Sequence, residues 1–351
     1  MKALATYAES VYVVCPLEAS STKQDVSFYN EKFQFIPVPV VGGDSIHAKW
    51  KLVGTLPAWL KAFRQLKTAD IIYQRFPNNL NIPGLFYFLH QKTFATYTGT
   101  WQNYSGEPAS FRLQKWMLKN IFRGPVWVYE ESSPLPERFY KAISPSYTMR
   151  EWHAAADVIK SRVKRWMQKN YQPIFISVGG LVPVKNHQFT INVAAELAKA
   201  GFPFQLYIVG DGPLREELRK LIELKNLTGC VILTGHVNTD KLQQMYKDAD
   251  FIIQSPKAEG FGKVPIEGFF YGLISFLSNT AMAEKFVGKE QERGFIFETD
   301  DPKRLASFIR SLWQNPLALS PKMEAARQFA TQFSLDTWAT VTVDSLLKFY
   351  D

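Results

Sequence analysis

The residues of this chain best suited by type and spacing to chemistry lie between Ser255 and Gly272, in the segment SPKAEGFGKVPIEGFFYG. Two carboxylates, Glu259 and Glu267, stand there with seven residues between them. The apolar run before the segment predicts a strand and the pattern after it a helix. Glu259 then falls in a glycine-bearing loop and Glu267 on the first helical turn, so both can face one crevice at the strand ends. Gly260 and Gly262 let the backbone approach a ligand closely. The amides of Phe261, Gly262, Lys263 and Val264, at a helix N-terminus, suit a phosphate. Carboxylates accept hydrogen bonds from sugar hydroxyls. An isolated pair of this kind is most often a pair of exposed helix caps, so the elements around it decide its meaning.

From about residue 171 the chain alternates short β-branched and aromatic runs with helical patterns, the signature of a parallel α/β domain. Strands are expected at 174–178, 204–209, 231–234, 251–254, 274–277 and 295–297, and helices at 186–200, 214–225, 241–248, 265–271 and 303–313. This is one complete doubly wound sheet. Tight turns at Gly179-Gly180 and Gly210-Asp211-Gly212-Pro213 follow its first two strands, at the carboxyl ends where such sheets bind ligands. The first half is less regular but also α/β, with strands expected at 11–15, 35–37, 71–73, 94–97 and 126–129. A charged helical segment at 150–169 leads to an expected interdomain linker near 165–172, and 336–350 reads as a terminal helix.

The motifs SVGGLVPVKN, LYIVGDGPLREEL, VILTGHV, the acidic-pair segment and GFIFETDDPKRLA follow one another over about residues 174–315. In order and spacing they resemble the nucleotide-sugar-binding domain of the retaining glycosyltransferases of the GT-B fold, family 4. The resemblance implies an α/β chain with two Rossmann-like, doubly wound parallel-sheet domains facing a cleft. Residues 1–168 would bind the acceptor, 169–334 the nucleotide sugar, and 335–351 would form a helix packing back on the first domain. It further implies that Glu267 holds the ribose hydroxyls, Glu259 the hydroxyls of the donor sugar, and Lys185 the diphosphate. Gly179, Gly180 and Gly210 would belong to the donor loops, and Gly235, His236 and Val237 would border the base. A leaving nucleoside diphosphate gathers negative charge as its bond breaks, which gives Lys185 its electrostatic role. No metal or other cofactor is expected, because no aspartate-x-aspartate pair sits where such enzymes would coordinate one.

The chain also departs from the family pattern. Gly180 stands where an arginine usually follows the first glycine, removing one partner for the diphosphate; Lys263 is the nearest substitute in motif terms. SNTAMAEKF, after Leu277, lacks the usual paired glycines but keeps Glu284. LATYAESVYVVCP resembles the second strand of the first domain and its approach, so roughly one βα unit of the pattern is unmatched, and Thr98 occupies the place of a frequent histidine. Tyr73, Arg75, Trp101 and Tyr104 lie near strand ends of the first half and are candidates for an acceptor site or for packing. His90 and His153 read as partly exposed histidines without a chemical role.

Charge separates the two halves. Residues 1–170 hold 22 basic and 12 acidic residues, whereas 171–351 hold 19 and 20. Lys49 to Arg123 carries eleven basic residues against Asp70 and Glu107, a field that attracts anionic surfaces. Read as a helix, 109–123 places Arg112, Lys115, Lys119 and Arg123 on one stripe and Leu113, Met117, Leu118 and Ile121 opposite, with Trp116 at the edge of the basic stripe. This suits a solvated basic face or an interfacial membrane helix. Trp50 to Lys67 interleaves Trp50, Trp59 and Phe63 with Lys51, Lys61, Arg64 and Lys67, which also suits an interface. No zinc-finger, aromatic RNA-binding or basic-region pattern is present, so nucleic acid is the minor option.

With 46% apolar and 21% charged residues, the composition is that of an ordinary globular chain. Its most apolar run, 84–89, is cut by His90 and Lys92, too short to cross a bilayer. Glu9 and Cys15-Pro16 do not fit a secretory signal. Cys15 and Cys230 are read as buried free thiols. The expected protein is therefore cytoplasmic, with peripheral contact to the inner face of an anionic membrane. Its expected function is transfer of a hexose, glucose first, from a UDP-sugar to a glycan or lipid-linked acceptor in cell-envelope or exopolysaccharide synthesis. The alternatives are a nucleotide-sugar-binding homologue without catalysis and a nucleic-acid-binding protein.

Overall fold

The computed structural model describes residues 2–16, 31–39, 46–79, 81–103, 107–129, 134–259, 261–280 and 282–351, with backbone alone for 2, 46–53 and 100. Each expected strand forms, within about two residues of its expected start and three of its end, and the described strands in chain order are β1 (Val11–Pro16), β2 (Phe33–Val38), β3 (Ile72–Phe76), β4 (Thr93–Thr100), β5 (Val126–Tyr129), β6 (Phe139–Lys141), β7 (Ile174–Val178), β8 (Gln205–Val209), β9 (Val231–Gly235), β10 (Phe251–Gln254), β11 (Ile274–Ser278) and β12 (Gly294–Phe297). Only β6 was not anticipated, because three residues, Phe-Tyr-Lys, carry no readable period. All strand pairs between these elements are parallel.

The chain divides into two units, 1–143 with 339–351, and 144–338. The second unit holds a six-stranded sheet in the order β12-β11-β10-β7-β8-β9, the doubly wound order in which the direction of winding reverses between the first and fourth strands. β10 and β11 are buried along their whole length, as strands covered by helices on both faces must be. At the reversal, β10 pairs with β7 through only two residue couples, Phe251 with Phe175 and Ile252 with Ile176. The ladder therefore stops short of the carboxyl ends of both strands.

The first unit contains the β1-β2 pair and the sheet β3-β4-β5-β6. Tyr350, near the end of the helix Leu335–Tyr350, donates from its hydroxyl to the Thr93 carbonyl at 2.5 Å and accepts from the Thr93 amide at 2.8 Å. Trp59 and Phe63 of the helix Ile46–Gln65 are buried in a cluster with Ile36, Ile72 and Phe88. The interleaved aromatic-basic stretch thus turns Trp59 and Phe63 into the core and leaves Lys61, Arg64 and Lys67 exposed, so these two rings do not form the expected interface; the side chains of Trp50 and Lys51 lie outside the described ones. Trp101 is likewise buried against Tyr97 and Phe139. Cys15 and Cys230 are free but only half-buried.

The linker expected near 165–172 is instead internal to the second unit. The helix Ala156–Trp166 supplies Ile159 and Trp166 to that unit's core. Between them Arg162 is completely buried and donates to four carbonyls: Ala249 at 2.7 Å, Tyr271 at 2.6 Å, Tyr246 at 3.1 Å and Lys247 at 3.4 Å. Asp250, equally buried, lies 3.8 Å from the Arg162 Nε and accepts from Trp166 Nε1 at 2.7 Å, Tyr171 Oη at 2.8 Å and the Ile174 amide at 2.8 Å. Burial pushes the Arg162 guanidinium down to about 10 and raises the Asp250 carboxyl, with each charge opposing the other's shift. A charge-run reading of 150–169 misses this because every cation there looks alike in sequence. Arg162→Ala takes the fully buried counter-ion from Asp250, leaving it only the partly exposed Arg165 at 3.7 Å, and leaves four carbonyls without this donor; we expect a loss of about 3–5 kcal/mol in urea unfolding. A loss below about 1 kcal/mol, the range of exposed pairs, would contradict the burial described.

Candidate functional site

Three glycine turns meet at the carboxyl ends of β7, β8 and β9. The Gly179 amide donates to the Val209 carbonyl at 2.9 Å, Leu181 to Asp211 at 3.0 Å, and Gly210 to Gly235 at 3.0 Å. Gly210 has φ 141°, and a Cβ there would lie 2.0 Å from the Gly179 carbonyl oxygen, so no other residue fits the contact. Gly180 is different. It is exposed, its φ is ordinary, and a Cβ would meet nothing nearer than 3.9 Å. Gly235 is buried beneath the guanidinium of Arg215, which also lies 3.5 Å from Asp211, whereas His236 is exposed and Val237 half-buried.

After Gly180 the chain makes a short turn of 3-10 helix, Pro183–Lys185, passes through Asn186 at φ 51°, and enters the helix His187–Lys199. The loop carrying the acidic pair is fastened to this turn. The Lys257 amide donates to the Val184 carbonyl at 2.8 Å, the Ser255 hydroxyl to the Asn186 carbonyl at 2.9 Å, and the Thr190 and Ser255 hydroxyls are 3.0 Å apart. This fastening brings Lys185 and Glu259, 74 positions apart, into a direct ion pair, each side chain about a quarter exposed.

Gly262, at φ 73°, precedes the helix Lys263–Phe270, whose first amides receive no side-chain cap. Lys263 is exposed, Val264 half-buried, and the Phe261 ring packs at 5.6 Å on Phe286 and 5.7 Å on Phe333. Gly260 lies outside the described residues. Because the helix begins at Lys263 and not at Pro265, Glu267 is on its second turn, a correction to the expected first. Glu267 accepts from Ser146 Oγ at 3.0 Å and from Tyr246 Oη at 2.9 Å. Burial, and next the Glu267 charge, hold the Tyr246 hydroxyl well above the ordinary tyrosine range, so it stays a donor. The two carboxylates thus sit in separate surroundings, Glu259 with a cation and Glu267 with two hydroxyls.

Sequence reasoning missed Ser146, Tyr246 and His187, which come from other elements than the motif segment. His187 is buried, its Nδ1 3.3 Å from Ser177 Oγ and its Nε2 3.6 Å from where a Gly179 Cβ would stand. Burial pushes the imidazole down to about 4, and the neighbouring Lys185 charge lowers it further while the Gly179 and Gly180 backbone opposes. Of the acceptor-site candidates, Trp101 is core, Arg75 is exposed, Tyr73 is stacked at 4.8 Å on Phe94, and Tyr104 lies outside the described residues. His90 and His153 are exposed.

Residues 160–333 match the family model of the glycosyl transferases, group 1. Among curated proteins, a putative glycosyltransferase EpsF of Bacillus subtilis is 26% identical over 168 residues, which are 48% of this chain and 42% of EpsF. A GDP-mannose-dependent phosphatidylinositol monomannoside mannosyltransferase of Mycobacterium tuberculosis is 25% identical over 66% of this chain and 64% of its own length. The matches thus span less than two thirds of either relative. Among solved structures, sucrose-phosphate synthase of Thermosynechococcus elongatus superposes with a TM-score of 0.73 at 18% identity, covering 99% of this chain and 91% of that one. Anabaena HepE, solved with UDP and glucose, gives 0.69 at 15% identity over 90% and 86%. The fold is GT-B, and residues 160–333 carry the pattern of the group 1 glycosyl transferases.

His187 gives the site a pH signature. Its folded value near 4 lies below the ordinary 6.5, so the unfolded chain takes up a proton that the folded one refuses. Stability contributed by the neutral ring is complete above about pH 6.5 and falls as the pH drops toward 4, by up to roughly 3 kcal/mol. Urea midpoints measured from pH 7 to 4 are expected to decline less steeply for His187→Gln than for the parent chain. Equal slopes would show that His187 is not held neutral.

Proposed function

We propose that this chain is a retaining hexosyltransferase that uses a nucleoside-diphospho-sugar, UDP-glucose in the first instance, without a metal ion. Its acceptor would be a glycan or lipid-linked glycan in cell-envelope or exopolysaccharide synthesis. The observation that carries the reading is the Lys185–Glu259 pair, assembled from two loops at the reversal point of a doubly wound sheet. Crevices at that point bind nucleotides, and the match of residues 160–333 to the group 1 glycosyl transferases supports the donor class.

In this reading a diphosphate, with more than one negative charge, draws Lys185 from the single charge of Glu259, and the released carboxylate accepts from donor-sugar hydroxyls. The amides of Phe261, Gly262, Lys263 and Val264 face the diphosphate at the uncapped start of their helix. Glu267, oriented by Ser146 and Tyr246, takes the ribose hydroxyls, while Gly179, Gly180 and Gly210 form the floor and Gly235, His236 and Val237 border the base. The sugar C1–oxygen bond to the β-phosphate breaks as the acceptor oxygen bonds C1 from the same face. The acceptor proton passes to the departing phosphate oxygen, which Lys185 has stabilised.

Calorimetric titration with UDP, GDP, ADP and UDP-glucose, followed by an assay of nucleotide release, tests the reading. UDP and UDP-glucose are expected to bind, with slow release of UDP in the absence of acceptor. Lys185→Ala should lower turnover roughly 10²–10³-fold through lost charge stabilisation, and Glu259→Ala and Glu267→Ala should abolish detectable transfer while the chain stays folded. Full turnover in both glutamate variants would refute the assigned site, and nucleotide binding without any release would favour a binding-only homologue. Because the space at Gly180 is open, Gly180→Arg should fold normally and tighten UDP binding about tenfold or more by adding a charge-assisted partner.

A further inference from the structure

The helix Ala109–Asn120 is amphipathic in a different sense from its sequence. Gln114, Lys115, Met117 and Leu118 are its buried residues, and Lys115 pairs with the buried Glu107 and donates to the Gln102 carbonyl at 3.0 Å. Lys115 therefore leaves the expected basic stripe for the core. Outside stand Arg112, Leu113, Trp116, Lys119, Asn120 and, just beyond the helix, Arg123. At 100° per residue the five helical positions fall within an arc of about 120°, from Lys119 at one edge to Leu113 at the other, while Arg123 follows the helix end.

Trp116, in the middle of this arc, and Leu113, at its edge, are 54% and 49% exposed, where the fold makes no use of them. No Asp or Glu occurs from 108 to 129, and among the described residues no carboxylate pairs with Arg112, Lys119 or Arg123. Arg138 is occupied elsewhere, donating to the Leu118, Lys119 and Gly124 carbonyls at 2.6, 2.7 and 3.2 Å and so fixing the end of the helix. A rigid helix that presents one indole and one aliphatic side chain beside exposed cations matches a boundary that is anionic outside and apolar beneath. A nucleic-acid groove would reward the charges but give Leu113 nothing to enter.

We propose that this arc docks on an anionic lipid bilayer, with Leu113 and Trp116 entering the headgroup boundary and Arg112, Lys119 and Arg123 meeting lipid phosphates. The inference stands apart from the transfer reaction and survives if that reading fails. Its test is co-sedimentation of the full chain with vesicles of phosphatidylcholine, alone or mixed with phosphatidylglycerol. Parent, Leu113→Gln/Trp116→Gln and Arg112→Gln/Lys119→Gln/Arg123→Gln chains are compared, each checked by thermal unfolding. The parent is expected to bind the mixed vesicles and not the neutral ones. Removal of the three charges should weaken partition roughly hundredfold, and removal of the two apolar groups about tenfold or more. UDP binding, measured alongside, should be unchanged in both variants. Equal behaviour of the parent on both vesicle types would overturn the proposal, as would undiminished binding by Leu113→Gln/Trp116→Gln. Binding of a single-stranded oligonucleotide that depends on the three charges alone, without preference for the mixed vesicles, would make the arc a general polyanion surface instead.

Discussion

The guanidinium of Arg162 is the interaction on which the second unit depends. A cation without solvent is tolerable only when its donors are satisfied and its charge is opposed, and Arg162 meets both conditions through four carbonyls and Asp250. Two of those carbonyls belong to Tyr246 and Tyr271. Tyr246 carries the hydroxyl that orients Glu267, and Tyr271 ends the helix on which Glu267 sits. A buried structural charge therefore sets the position of a candidate ligand group without touching a ligand. Asp250 at the same time fixes the beginnings of β7 and β10, the strands whose carboxyl ends border the site.

At those carboxyl ends the backbone does most of the construction. The glycine turns can nest only because Gly210 lacks a side chain, and their nesting leaves the Gly179–Gly180 turn backed by the neutral ring of His187. A protonated imidazole there would repel Lys185; burial keeps it neutral and leaves Lys185 as the charge of that turn. Ser255, Thr190 and the Lys257 amide then fasten the acidic loop to the lysine loop. The Lys185–Glu259 pair is thus a consequence of loop packing, and both groups remain partly exposed and able to exchange partners.

The basic first half shows how far a charge pattern underdetermines a surface. Lys115 has the spacing of an exposed cation, yet it pairs with Glu107 in the interior, and Trp116 and Leu113 take the solvent side. Trp59 and Phe63 make the opposite change, from interfacial candidates to core. Both outcomes turn on which side of the helix meets the sheet. A single helix period fixes that only when its polar and apolar residues separate cleanly.

The sequence by itself determined the α/β architecture, the β7 to β12 series, the glycine turns and the acidic-pair loop. These depend on local causes: β-branched runs, periodicity, and glycines where no other residue can follow the backbone. It also placed Lys185 and Glu259 each in its loop. Only the tertiary structure decided that the two pair, that Ser146 and Tyr246 hold Glu267, that His187 stands behind the glycine turn, and that 156–166 belongs to the second unit. The physical reason is common to all four. Each depends on groups 10 to 121 positions apart meeting through packing, and burial of a charge or an imidazole is a property of the neighbours that enclose it, which no local pattern encodes.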